Sequence, residues 1–245
     1  MTDSFSCLID PKKAHTEPSI GPAALLIPLP GDLQRMGCLL SESRTRVFKN
    51  QMFHAYQDLQ GHPPVGVGGP AVGAPQAVMI LEKLIVLGAQ KIIFFGWTGG
   101  LQEDLSPGDF IIPDQAISEE GTSRHYSDDQ YPKPSSRLQR ELEGLLQKEN
   151  LPFHKGIIWT TDAPYRETVE KVRSFQKQGV LGVEMETSAL FTVGAFRGIE
   201  MAALLIVSDD LSGTTWRHGF REPRFLEARK KAAQFLSEWV TGGID

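Results

Sequence analysis

From Gly182 to Asp210 the chain reads GVEMETSALFTVGAFRGIEMAALLIVSDD. Val180, Leu181 and Val183 form a short apolar run of the kind a buried strand shows. Glu184, Met185 and Glu186 follow it. Ala189, Leu190, Val193 and Phe196 then recur at helical period and predict one buried helix face, which Gly198 ends. Met201–Val207 is a second apolar run, long enough for a buried parallel strand, and it runs into Ser208, Asp209 and Asp210. The stretch therefore reads strand, helix, strand, with acidic residues at both strand ends. Ligands of open α/β sheets bind at strand ends, and a carboxylate there is costly unless it is partnered or used. Each acid also has a plainer reading. Glu184 and Glu186 can complement a helix dipole, and Asp209 can be an N-cap.

Working outward, Ala23–Leu29 predicts a strand ending in Pro30-Gly31-Asp32. A glycine there lets a ligand approach the backbone, exposed amides hold an anion, and Arg35 adds a guanidinium suited to phosphate. A turn with a surface arginine is the ordinary alternative. Arg46–Gln60 predicts a strand. Val65–Gly73 (VGVGGPAVG) is a strand and glycine turn leading into a helix with Ala77, Ile80, Leu81, Leu84 and Ile85 on one face, ending near Gly88. No GxGxxG opens that helix, so it carries no dinucleotide fingerprint. Lys91–Phe95 predicts a buried strand running into Gly96-Trp97-Thr98-Gly99-Gly100. Phe110–Ile112 and Phe153–Thr161 predict further strands, and Arg137–Lys148 an amphipathic helix with Leu138, Leu142, Leu145 and Leu146 inward. Glu119–Pro134 reads as a loop near a pocket mouth, and the segment after Asp210 as a loop or lid. Phe225–Val240 predicts a terminal helix with Phe225, Ala228, Ala232, Phe235, Leu236 and Trp239 on its core side. Residues 1–21, broken by Pro11 and Pro18, read as an extended arm containing His15. Strands alternating with helices predict a three-layer α/β/α architecture.

The 245 residues, 40% of them hydrophobic, suit one domain spanning 1–245. The net charge of −5, with acids and bases interspersed, offers no basic face for nucleic acid. Cys7 and Cys38 make neither a disulfide framework nor a zinc site, and no metal site is predicted. Cys38, between Met36 and Leu40, is expected to be a buried thiol. No signal peptide or run of membrane-spanning length is present, so a reducing, cytoplasmic setting and no membrane partner are expected.

The Val-Glu-Met-Glu run at 183–186, with the later Ser208-Asp209, resembles the trimeric-hexameric nucleoside phosphorylase family, whose members cleave N-glycosidic bonds of nucleosides. The resemblance covers roughly residues 15–240. It implies a twisted mixed central sheet, a homo-oligomer (dimer or hexamer) with shared sites, and phosphate as co-substrate without a further cofactor. By that resemblance Glu186 binds the ribose hydroxyls, Met185 packs on the sugar and base, and Asp209 is the general acid that protonates the base. Gly31 and Arg35 match the family's phosphate turn, and His15 its N-terminal histidine, which enters the neighbouring subunit's site near the ribose. Thr98, Tyr165, Arg166 and Glu184 are assigned to the base pocket. Four positions depart from the pattern. Asn50 and Phe94 stand where phosphate arginines are expected, Trp97 where a hydroxyl is expected, and Pro164 where an aromatic is expected. Phe94 and Trp97 are therefore read as walls of a drier, apolar pocket. Arg217, Arg221 and Arg224 compete for the role of assisting Asp209. The implied activity is a phosphorolytic glycosyl transfer; a hydrolytic nucleosidase and a weakly catalytic nucleoside-binding protein are the alternatives.

Overall fold

The computed structural model describes residues 7–242; residues 1–6 of the expected arm and 243–245 lie outside the described residues. The strands are β1 (Ala23–Leu26), β2 (Arg44–Lys49), β3 (Phe53–Asp58), β4 (Val65–Gly68), β5 (Lys91–Gly100), β6 (Phe110–Ser118), β7 (Phe153–Thr160), β8 (Gly182–Glu184), β9 (Glu200–Asp210) and β10 (Arg217–His218). The helices are α1 (Pro30–Ser41), α2 (Ala74–Leu87), α3 (Ser136–Lys148), α4 (Val169–Lys177), α5 (Thr187–Arg197) and α6 (Pro223–Val240). The strands join in one mixed sheet ordered β10-β9-β6-β7-β8-β5-β1-β4-β3-β2. β9 also pairs with β5, so half of the sheet curls back on itself and closes a ring of β5, β9, β6, β7 and β8.

Strand periodicity sorts the core into two layers. Ala24 and Leu26 of β1, Ile92 and Phe94 of β5, and Met201, Ala203, Leu205 and Val207 of β9 face α2 and α5. Leu25, Ile93, Phe95, Ala202, Leu204 and Ile206 face α1, α3 and α6. These strands are buried on both sides, which is why they read as continuous apolar runs. The three-layer α/β/α architecture is thus as the alternation predicts, and the mixed sheet as the resemblance implies.

Some local expectations are corrected. Residues 46–60 hold two strands, because the Asn50 side chain accepts the N–H groups of Met52 (2.8 Å) and Phe53 (2.9 Å) and turns the chain. Cys38 is exposed; Met36 and Leu40, four residues apart, take the inward face of α1 and leave position 38 on the other side. α5 is buried all round from Thr187 to Gly194, whereas Phe196, in its last turn, is 56% exposed. Phe94 is fully buried beneath α2 and α5, in the core and not in the wall of the cavity at the strand ends. It stands three residues from Trp97, so the two side chains leave β5 on opposite faces.

β8 and β9 both end beside the last turn of β5. Gly99 of β5 pairs with Val183 of β8 and with Asp209 of β9. Between Thr98–Val207 and Gly99–Asp209 the register slips by one residue, so Ser208 is the extra residue of a bulge, a device that re-aims a side chain. A side chain at Gly99 would strike Leu211 and stand 3.2 Å from Asp209 Oδ2. The missing Cβ is what allows the three strand ends to converge.

Candidate active site

Where the three ends meet lies a cavity of about 490 Å³. Trp97, Thr98 and Gly99 come from β5, Val183, Glu184 and Met185 from the end of β8, and Ser208 and Asp209 from β9. Pro164, Tyr165 and Glu167 form one rim and Leu211, Trp216 and Phe220 the other. The rim after β9 is held down by β10, which pairs with Asp209 and Asp210, and by the Gly219 N–H, which donates to Ser208 O (2.9 Å).

Asp209 accepts at both oxygens, from the Ser208 hydroxyl (2.5 Å) and from the Trp216 indole N–H (2.7 Å). None of the three arginines assists it. Arg217 pairs with Asp210, Arg224 pairs with Asp109, and Arg221 is exposed. Burial pushes the Asp210 carboxyl up, but the Ser212 N–H and the Arg217 guanidinium outweigh it and hold it below the usual range. Across the cavity, Glu167 is pushed up to about 7, first by burial and then by the charge of Asp209. Glu167 is therefore close to half-protonated at neutrality.

Glu184 is completely engaged. It accepts from the Thr160 hydroxyl (2.5 Å) and from the N–H groups of Glu186 and Thr187 (2.8 Å each). The helix-dipole reading holds for this residue: it ties β7 to the start of α5. Glu186 follows Met185 and accepts from the Gly73 N–H (2.7 Å) at the start of α2; it is not among the residues lining the cavity. Burial pushes both carboxyls up, and the charge of Glu184 adds to the rise at Glu186, which reaches about 8. Three donors point at Glu184 and favour its charged form, whereas Glu186 has the Gly73 N–H and the opposing charge of Glu184. The Thr98 hydroxyl donates to Val183 O (2.9 Å), so this residue joins β5 to β8 as well as lining the cavity.

Tyr165 is fully exposed at the rim, and Arg166, next to it, is exposed and outside the lining. His15 is exposed on the arm, away from this chain's cavity; the arm is fixed to α2 by the Glu17–Lys83 ion pair (3.0 Å). Gly31 and Arg35 open α1 on the far side of Trp97, whose indole N–H donates to Asp32 (2.8 Å). Trp97 stacks on Phe220 (5.9 Å), which meets Trp216 (6.2 Å), so the cavity has an aromatic wall on one side. The sequence reading missed Glu167, Asp32, Trp216, Phe220 and Arg229. The two rim aromatics were visible at a spacing of four. Arg229 was visible as a cation on the core side of an amphipathic helix, one residue past Ala228.

The sequence profile of the Phosphorylase superfamily matches residues 22–241. A guanosine phosphorylase of Halorubrum lacusprofundi is 28% identical over 183 residues, 74% of this chain and 76% of that one. A uridine phosphorylase of Thermococcus kodakarensis is 26% identical over 241 residues, 89% of this chain and 84% of that one. In fold, the chain is similar to the purine nucleoside phosphorylase of Toxoplasma gondii in complex with immucillin-H, with TM-score 0.77, 18% identity and 91% and 92% coverage of the two chains. With the strand ends, the acids and the profile in agreement over nearly its whole length, the chain belongs to the phosphorylase superfamily.

Proposed function

We propose that this chain, acting as one domain, cleaves the N-glycosidic bond of a nucleoside and transfers the sugar to phosphate. The observation that carries the reading is the pair of carboxyls, Asp209 and Glu167, lining one aromatic-walled cavity together with Met185. Breaking a ribosyl C–N bond leaves positive charge on the sugar and negative charge on the base. A purine or pyrimidine fits against Trp97, Phe220 and Trp216 by stacking. Asp209 delivers a proton to the departing base, and Glu167, near its own midpoint at neutrality, replenishes it. General acid catalysis of this kind contributes roughly 10²–10⁴-fold.

The sugar lies toward Met185, and Glu186, next in the chain but outside the cavity lining, is the acceptor proposed for its hydroxyls. Gly31 and Arg35 are the phosphate groups of the proposal, and no cofactor beyond that co-substrate is called for. The exposed arm with His15, together with the exposed apolar side chains Val72, Met79 and Phe196, supports a homo-oligomer in which His15 completes a neighbour's ribose site. Two free, exposed thiols suit a reducing compartment, and we assign the cytoplasm. No helix among the described residues is long and apolar enough to cross a membrane.

The test is a panel of purine and pyrimidine nucleosides incubated with and without phosphate, following free base and sugar product. Ribose 1-phosphate, formed in proportion to added phosphate, is the expected product. Base release at full rate in phosphate-free buffer, with free ribose as product, would replace this reading by a nucleosidase.

A further inference from the structure

The family's phosphate arginine on β5 is replaced by Phe94, which lies in the core. Another cation reaches the same corner from α6. The Arg229 guanidinium pairs with Asp32 Oδ1 through Nε (2.9 Å) and through a terminal nitrogen (2.8 Å). It lies over the Trp97 ring at 4.6 Å and over Phe225 at 5.5 Å. Its terminal nitrogen is 3.4 Å from where a Cβ on Gly31 would stand. The guanidinium therefore packs against the first turn of α1, at van der Waals distance from position 31.

Asp32 is 1% exposed, and its second oxygen accepts from Trp97. One turn further along α1, Arg35 keeps a buried Nε with no hydrogen-bond partner. Gly31, Asp32 and Arg35 thus share the first two turns of α1, with the Arg229 guanidinium docked on Asp32. One cation is neutralised internally and the other has an unused donor.

We infer that Arg229 is a phosphate-binding residue of this enzyme, and that Asp32 competes with phosphate for it. The inference rests on the phosphorolytic reading above and names the group that replaces the missing strand arginine. The chemistry is that of an arginine fork. Asp32 takes Nε and one terminal nitrogen of Arg229, and the fork's remaining N–H donors are left for an oxyanion. A tetrahedral phosphate between Arg229, Arg35 and the start of α1 would meet charge-assisted donors from two directions. The nearby carboxylate opposes its charge, so binding is weaker than a corner of two free arginines would give. Trp97 sets the geometry: its N–H fixes Asp32, its ring supports Arg229, and its other face belongs to the nucleoside cavity. Phosphate affinity and base stacking therefore meet at one side chain.

The sign of one substitution separates this role from a merely structural ion pair. Binding of inorganic phosphate to the full chain is measured by calorimetry, and the phosphate KM is measured with whichever nucleoside the panel above identifies. Asp32→Asn keeps the shape and the Trp97 partner but removes the competing charge. It should tighten phosphate by about tenfold, the loss of one charged contact being worth a factor of that order. Arg229→Met alone leaves Asp32 buried without its cation and can fail to fold, so the informative variant is Asp32→Asn with Arg229→Met. That double variant should bind phosphate about ten- to a hundredfold more weakly than Asp32→Asn alone. Arg229→Lys on the Asp32→Asn background should recover part of the loss.

Unchanged or weakened phosphate binding in Asp32→Asn, or equal binding in the single and double variants, overturns the assignment. If the wild-type chain yields ribose 1-phosphate and these variants do not move its phosphate KM, Arg229 is excluded and the phosphorolytic reading survives. A wild-type chain that neither binds phosphate nor uses it overturns both.

Discussion

Glu186→Gln should make the protein more stable, and the gain should depend on pH. In the native state the Glu186 carboxyl sits at about 8 against an ordinary 4.5, raised by burial and by the charge of Glu184. A carboxyl raised in this way keeps its proton in the native state where the unfolded chain has lost it. Its stabilising contribution is complete below 4.5 and is withdrawn as pH climbs toward 8. At about 1.4 kcal/mol for each pH unit over which only the unfolded chain is ionised, roughly 3 kcal/mol is gone at neutrality and about 5 kcal/mol above the native value. Glutamine carries no such dependence, and its carbonyl still accepts the Gly73 N–H. The difference in melting temperature between the variant and the wild type should be near its minimum at about pH 4. It should grow to roughly 6–12 °C at neutrality, taking about 2–4 °C per kcal/mol for a chain of this size. Taking the difference cancels the titrating groups that do not interact with Glu186. The assay is paired thermal melts across that range, with turnover of ribo- and deoxyribonucleosides at neutrality. Ribonucleoside turnover should fall more, because only ribose offers the hydroxyl pair. A stability difference that is flat with pH, or a variant less stable than wild type at neutrality, would show that Glu186 is ionised in the native protein and refute the argument.

Asp209→Asn should lower cleavage of purine nucleosides by about 10²-fold or more and that of substrates with good leaving groups by less; equal loss for both, read from base release, counts against proton delivery to the base. Because the proton-holding form of Glu167 is the useful one, kcat/KM should fall as pH rises through about 7, and Glu167→Gln should remove that limb from the profile while lowering the plateau. A limb that persists unchanged in Glu167→Gln would assign it to another group. Light scattering at micromolar concentration should find a dimer or larger assembly; a fully active monomer would remove the argument for His15 in a neighbour's site.

The central stretch was legible because its signals are local. Apolar runs marked β8 and β9, Gly198 stopped α5 with φ of 68°, and the acids fell at the strand ends. What failed was geometry that depends on parity or on distant partners. Phe94 and Trp97 were grouped in one wall although a spacing of three on a strand separates them. Arg217 and Arg224 were candidates for Asp209 until the fold brought them to Asp210 and Asp109. Glu167 could not be found from sequence, since its character comes from burial and from Asp209, 42 positions away in the chain. Cys38 was misread because its apolar neighbours were taken as its surroundings, when helical period placed them on the opposite side. Arg229, an ion on an apolar helix face, was the readable anomaly that went unread.

The placement of the four tryptophans makes this protein its own optical reporter. Trp159 and Trp239 are buried, each donates its N–H to a glutamate, Glu119 and Glu141, and neither lines the cavity; they supply the background emission. Trp216 is 57% exposed, with its N–H on Asp209, so a base entering the cavity dries its ring and shifts its emission. Trp97 lies between that cavity and the Asp32–Arg229 corner, so an anion arriving there perturbs a different fluorophore. Single Trp→Phe variants at 97 and 216 would then resolve, without label or coupled enzyme, which of the two substrates binds first.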